Sequence, residues 1–123
     1  MPTRPSSRLL ACLAVFVAAF IVTHLPPSKA LPAQRFDKLL HFVGFTVLGM
    51  LALWQNLTPT SLPRLNSLLW IVLVVASYAA FDEITQPLVR RDCEFLDWVA
   101  DSGGAVFGVA IIYFVQRFAL QKT

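Results

Sequence analysis

SLLWIVLVVASYAAFDEITQP, residues 67–87, decides how the chain is read. No charge interrupts Leu68 to Phe81; then Asp82, Glu83 and Gln86 arrive together, just before Pro87. A helix that crosses a bilayer needs roughly 20 residues at about 1.5 Å rise each. Counted from Ser67 as the expected N-cap, 20 residues end at Gln86. The two acids and the amide therefore belong to the last turn of a membrane helix. Pro87 ends or kinks that helix, because it has no N–H to donate and disfavours helix at the residue before it.

Composition supports this reading. Hydrophobic residues make up 57% of the 123 residues and charged residues 14%, against about 25% charged in soluble domains. Such a chain cannot cover itself with a polar shell, so an integral membrane protein is expected. The net charge of +3 and the isoelectric point near 9.2 fit Lys and Arg anchors flanking membrane helices. No stretch interleaves basic and aromatic residues as single-strand binding requires, so nucleic acid is not an expected partner. Cys12 and Cys93 are far apart without metal-ligand spacing, and no disulfide is expected between them.

Four apolar runs predict one all-α domain over residues 1–123, a four-helix membrane bundle with helices at about 9–25, 37–57, 67–86 and 95–118. Pro26, Pro27, Pro32, Pro59, Pro63 and Pro87 punctuate the connections. The first run, with basic flanks at Arg4 and Arg8 and SKA ending at Ala30, has a signal-peptide alternative. Its 17 residues, Leu9 to Leu25, reach the lower limit of a spanning helix, and a span is the expectation. In the fourth run the largely apolar part, Gly103 to Phe118, is too short to span alone. Asp97 and Asp101 therefore belong to its first turns.

Antiparallel spans bring the polar ends together. Asp37, Lys38 and His41 open the second helix, Asp82, Glu83 and Gln86 close the third, and Asp97 and Asp101 open the fourth. At about 100° per residue, Asp37, His41 and Gly44 share one stripe, Tyr78, Asp82 and Gln86 a second, and Asp97, Asp101, Gly104 and Gly108 a third. Glu83 falls off its stripe. Gly104 and Gly108 form a GxxxG that admits close helix approach and is also a candidate contact for a homo-oligomer. Charges inside a membrane protein face the bundle interior, so a polar pocket among the second, third and fourth helices is expected at one surface. Trp54, Trp70, Trp98 and Tyr113 read as interface anchors or core.

Lys and Arg divide five against five between the two sides, so charge counting alone does not orient the chain. If Lys38, Arg90 and Arg91 are engaged by the acids, both termini fall in the cytoplasm and the pocket faces outward.

Three blocks, DKLLHFVGF (37–45), DEITQ (82–86) and RDCEFLDWVADSGGAVFG (91–108), resemble the VanZ-like family of small bacterial membrane proteins. The resemblance covers most of residues 37–108; the first helix carries no recognisable motif. It implies a four-helix protein of the bacterial cytoplasmic membrane, linked through the founding member to glycopeptide (teicoplanin) resistance. The signature positions carry over to Asp37, Lys38, His41, Asp82, Glu83, Gln86, Arg91, Asp97, Asp101 and Gly104. Relatives carry a Pro-Gly turn before the arginine, whereas PLVRRDCE is one residue shorter, which leaves Arg90 and Arg91 as alternatives for that position.

The expected function is binding or transformation of a lipid headgroup or cell-wall precursor. Asp82, Glu83, Gln86, Arg91, Asp97 and Asp101 are the candidate catalytic set; Asp37, Lys38 and His41 would bind substrate. Crowded carboxylates suit general acid–base chemistry, with Glu83 or Asp97 as base, and a planar guanidinium at Arg91 suits an anion. His41 with acids could alternatively hold a divalent cation. Without HExxH or a neighbouring second histidine, however, neither metal nor cofactor is expected. The competing interpretation is a scaffold in which the arginines neutralise the acids and pin helix ends. A transporter fits less well, since no inverted repeat or midplane charge is visible.

Overall fold

Four helices form the chain in the computed structural model, which describes residues 6–25 and 33–122. They are α1 (Ser7–Thr23), α2 (Ala33–Trp54), α3 (Leu65–Thr85) and α4 (Phe95–Gln121), with a 3-10 turn at Gln86–Val89. Arg4, Pro26, Pro27, Lys29, Ala30 and Pro32 lie outside the described residues.

The observed ends shift from the expected ones for local reasons. α3 starts as soon as the chain leaves Pro63; Arg64, in extended backbone, takes the N-cap position without a side-chain cap bond. Ser67 is therefore inside the helix and not its cap. α3 gives way after Thr85 to the 3-10 turn, which holds Pro87 near its start, where the missing N–H costs no ladder bond. α4 runs past its apolar stretch to Gln121, since nothing after Phe118 breaks it.

Segments Phe36–Trp54, Leu65–Val89 and Phe95–Gln121 are long and apolar enough to cross a membrane. α1 has 17 residues, about 26 Å at 1.5 Å per residue, just under the roughly 30 Å hydrocarbon core. Side chains are distributed the reverse of a soluble protein. Leu88, Phe95, Ile84 and Leu65 are exposed, while His41, Asp82, Glu83, Gln86, Asp97 and Asp101 are buried. Lipid solvates the first group and cannot solvate the second. The chain is thus an all-α, integral membrane four-helix bundle.

α2 and α4 approach at backbone distance. A Cβ on Gly104 would meet the Phe42 carbonyl, one on Gly108 the Thr46 carbonyl, and one on Gly49 the Ala105 carbonyl. The GxxxG pair is therefore covered by α2 of the same chain. α3 closes the core through Val75 and Ala79 against Phe45, Leu48 and Ala105. Trp98 Nε1 donates to the Ala76 carbonyl at 3.0 Å and ties α4 to α3. α1 is fastened to α3 by Tyr78, whose hydroxyl donates to the Phe16 carbonyl at 2.8 Å while the two rings meet edge-on.

The helices alternate in direction. The end of α1, the start of α2, the end of α3 and the start of α4 share one face. Arg8 over the Trp54 ring, at 5.1 Å, and Gln116 bonded to the Thr58 carbonyl mark the opposite one.

Candidate functional site

Every acid named in the sequence reading lies at the shared face, and most of them join one network. Gln86, 1% exposed, donates through Nε2 to Asp82 Oδ2 at 3.2 Å and to Glu83 Oε1 at 3.0 Å. Glu83 Oε2 accepts the backbone N–H of Glu94 at 3.1 Å, which fixes the start of α4 on the end of α3. Lys38 on α2 donates to Glu94 at 2.8 Å and Asp97 at 2.9 Å.

His41 is the centre. Its Nδ1 lies 2.8 Å from Asp101 Oδ1 and 3.8 Å from Glu83 Oε1. Its Nε2 lies 3.9 Å from Asp37 Oδ1 and 4.0 Å from Asp97 Oδ2. An ionised carboxylate can only accept, so the short contact places a proton on Nδ1, and Nε2 is the nitrogen that faces Asp37 and Asp97. Two trios, Asp37–His41–Asp97 and His41–Glu83–Asp101, hold ligand atoms close enough to share one metal ion, and both use His41. Asp101 Oδ2 is buried with no hydrogen-bond partner among the described residues.

The first helix belongs to the site, which corrects the expectation of a pocket among three helices. Thr23 Oγ1 donates to Asp82 Oδ1 at 2.7 Å, and His24 Nδ1 lies 3.7 Å from the same oxygen. Nε2 of His24 contacts Thr85 Oγ1 at 2.8 Å. The adjacent acids consequently face different neighbours: Asp82 turns to α1, and Glu83 to His41 and the start of α4. Glu83 is 2% exposed despite lying off its stripe, because α3 is covered on two sides. The signal for α1 in the sequence was the Thr-His pair that ends an otherwise apolar run. Thr23→Val keeps the branched shape but removes this donor. It should destabilise the detergent-solubilised chain by about 1.5–3 kcal/mol, as for a hydrogen bond to a charged group. An unaltered melting temperature would mean that α1 is not anchored through Asp82.

The arginines do not form the neutralising clamp of the competing scaffold interpretation. Arg90 is exposed, adopts φ 63° and ψ 34° at the C-cap of the 3-10 turn, and makes no ion pair among the described residues. This left-handed conformation is one a glycine supplies more easily. It turns the chain so that Arg91, half-buried, comes within 3.7 Å of Asp37 Oδ1. The balance that would put both termini inside thus has Lys38 and Arg91 engaged by acids, but not Arg90.

Beside the network a groove of about 450 Å³ runs between α1 and α2. Val15, Ala19, Val22, Leu40 and Leu48 make its apolar length; Asp37, His41, Arg91 and Thr23 make its polar end. Gly44 lines it, and a Cβ there would meet nothing within 4 Å.

Neither the curated proteins nor the solved structures give a match to this chain. The VanZ/LLP1 family model matches residues 4–116, nearly the whole length, including all four helix cores and every residue of the network. The chain belongs to the VanZ/LLP1 family.

Proposed function

We propose that the protein binds an anionic headgroup of a membrane lipid or lipid-anchored cell-wall precursor, with the acyl portion in the α1–α2 groove and the headgroup beside Arg91, Asp37 and His41. The observation that carries this reading is the groove itself, apolar along its length and ended by one arginine, one acid and one histidine. A forked guanidinium matches a phosphate or carboxylate, and Asp37, its one ionic contact among the described residues, is partly exposed and free to yield. If the site also performs chemistry, Asp97 is better placed as base than Glu83. Both Glu83 oxygens are engaged by Gln86 and Glu94, whereas Asp97 Oδ2 faces the His41 ring. We place the protein in the bacterial cytoplasmic membrane with both termini in the cytoplasm and the site outward. Reporter fusions at the two ends test this, and an extracytoplasmic C-terminus reverses it.

The test compares wild type with Gly44→Phe and Arg91→Gln. Phe at position 44 fills the groove without displacing backbone, and both variants should keep wild-type folded yield. Binding of short-chain phosphatidylglycerol to the detergent-purified chain should be lost in Gly44→Phe. In Arg91→Gln it should fall about tenfold, roughly 1.4 kcal/mol, while any binding of diacylglycerol, which has no phosphate, stays unaltered. Complementation under teicoplanin stress connects the site to the resistance that the family resemblance implies. A second reading, a non-enzymatic scaffold, is favoured by the way Lys38 and Gln86 tie helix ends together. Equal lipid binding and equal phenotype in all three proteins would select it.

A further inference from the structure

We infer that His41, Asp37 and Asp97 bind a divalent transition-metal cation, with Asp101 orienting the imidazole from behind. Four observations lead there. The 2.8 Å bond from Nδ1 to Asp101 leaves Nε2 as the nitrogen available to a ligand, and Nε2 makes no hydrogen bond among the described residues although His41 is only 7% exposed. Facing Nε2 at 3.9 and 4.0 Å are one oxygen from α2 and one from α4. Ligand atoms about 2.1 Å from a common Zn²⁺ stand about 3.4 Å apart at a tetrahedral angle; the two carboxylate oxygens lie about half an ångström beyond that from Nε2, and all three ligand atoms lie within 4.8 Å of one another. Asp37, partly exposed on the first turns of α2, can move to close that gap.

The arrangement behind the ring is the second argument. A ligating histidine usually donates its other N–H to a carboxylate, which fixes its tautomer and raises its basicity. Asp101 does this here.

Third is charge. Asp37, Asp82, Glu83, Glu94, Asp97 and Asp101 all take part in the network, whereas Lys38 and Arg91 are its only permanently charged bases among the described residues. Lipid-facing walls cannot make up the deficit, but a divalent cation reduces it by two. The fourth observation is Asp101 itself, fully buried, with Oδ2 lacking any donor among the described residues. The cluster is short of positive partners at both ends of the imidazole. Mixed imidazole and carboxylate donors suit Zn²⁺ or Mn²⁺. Three protein ligands leave coordination positions open toward the groove, since Asp37 and His41 both line it. The cation site stands on the geometry around His41 alone. Only its use in polarising a bound headgroup rests on the proposed function, and with the cation in place Asp97 serves as a ligand and not as the base.

The test is titration of Zn²⁺, and of Mn²⁺ followed by electron paramagnetic resonance, into the full chain purified in detergent, stripped with chelator and given no lipid ligand. One ion per chain is expected. Asp37→Asn, at a partly exposed position outside the buried hydrogen bonds, should fold normally and weaken binding at least tenfold. Asp101→Asn should weaken it by about 10–100-fold, the usual effect of losing a carboxylate behind a ligating histidine. No stoichiometric ion in the wild type overturns the inference. So does a loss in Glu83→Gln with none in Asp37→Asn, which would move the ion to the inner trio. Cation binding without phosphatidylglycerol binding leaves this site standing and removes the proposed function; the reverse removes only the cation.

Discussion

Gly108→Leu should prevent the bundle from forming. The new Cβ would meet the Thr46 carbonyl oxygen and come within 2.9 Å of the Met50 nitrogen, both backbone atoms of α2. No rotamer relieves such a contact, so α2 and α4 must move apart along their whole length. Overpacking costs typically about 1–3 kcal/mol where side chains can yield, and here nothing can yield, so the loss should exceed that range. Separation would also pull Lys38 from Asp97 and His41 from Asp101, because each pair spans α2 and α4. The expected result is little or no monodisperse protein in detergent. Gly44→Phe, on α2 but facing open space, should give wild-type yield. Equal yields for the two variants would show that α2 and α4 do not touch at their backbones.

Gln86→Leu should be the most damaging change within the polar network. The amide is the shared donor for Asp82 and Glu83, and all three residues are at most 2% exposed. Leucine fits the volume but leaves two buried acceptors unpartnered. Leaving one buried acceptor unsatisfied costs about 1–3 kcal/mol; with two left here, a fall in melting stability of about 2–6 kcal/mol is expected. Gln86→Glu should be at least as harmful, since it adds a third acid where a donor stood. Gln116→Leu offers the comparison: it removes one bond to a neutral carbonyl at the opposite face, and should cost about 0.5–1.5 kcal/mol. If Gln86→Leu lies within that smaller range, the two acids do not depend on the amide.

The class of fold was legible because it follows from solvent. Lipid demands long uncharged stretches, and that demand marks the apolar length of α2, α3 and α4. The side on which the acids gather was legible for the same reason, since Asp82, Glu83, Asp97 and Asp101 sit at helix ends that alternate direction. What α1 contributes was not legible as a motif. Thr23 and His24 matter through Asp82 and Thr85, 59 and 61 positions away, and no spacing within one helix can report such pairs.

Periodicity likewise assigns each helix one inward stripe, which misplaces Glu83. A helix with neighbours on two sides has two inward stripes, and only packing reveals the second. Between Arg90 and Arg91 the sequence offered no choice; the left-handed backbone at Arg90 makes it, by sending one guanidinium outward and the other to Asp37. The His41 geometry belongs to this class too, because its partners come from α2, α3 and α4. By itself, then, the sequence determined a membrane-embedded helical bundle and the residue types it conceals, because burial in lipid acts on each segment separately. Tertiary structure alone decided which of those side chains meet, because that depends on how helices far apart in the chain cross and turn.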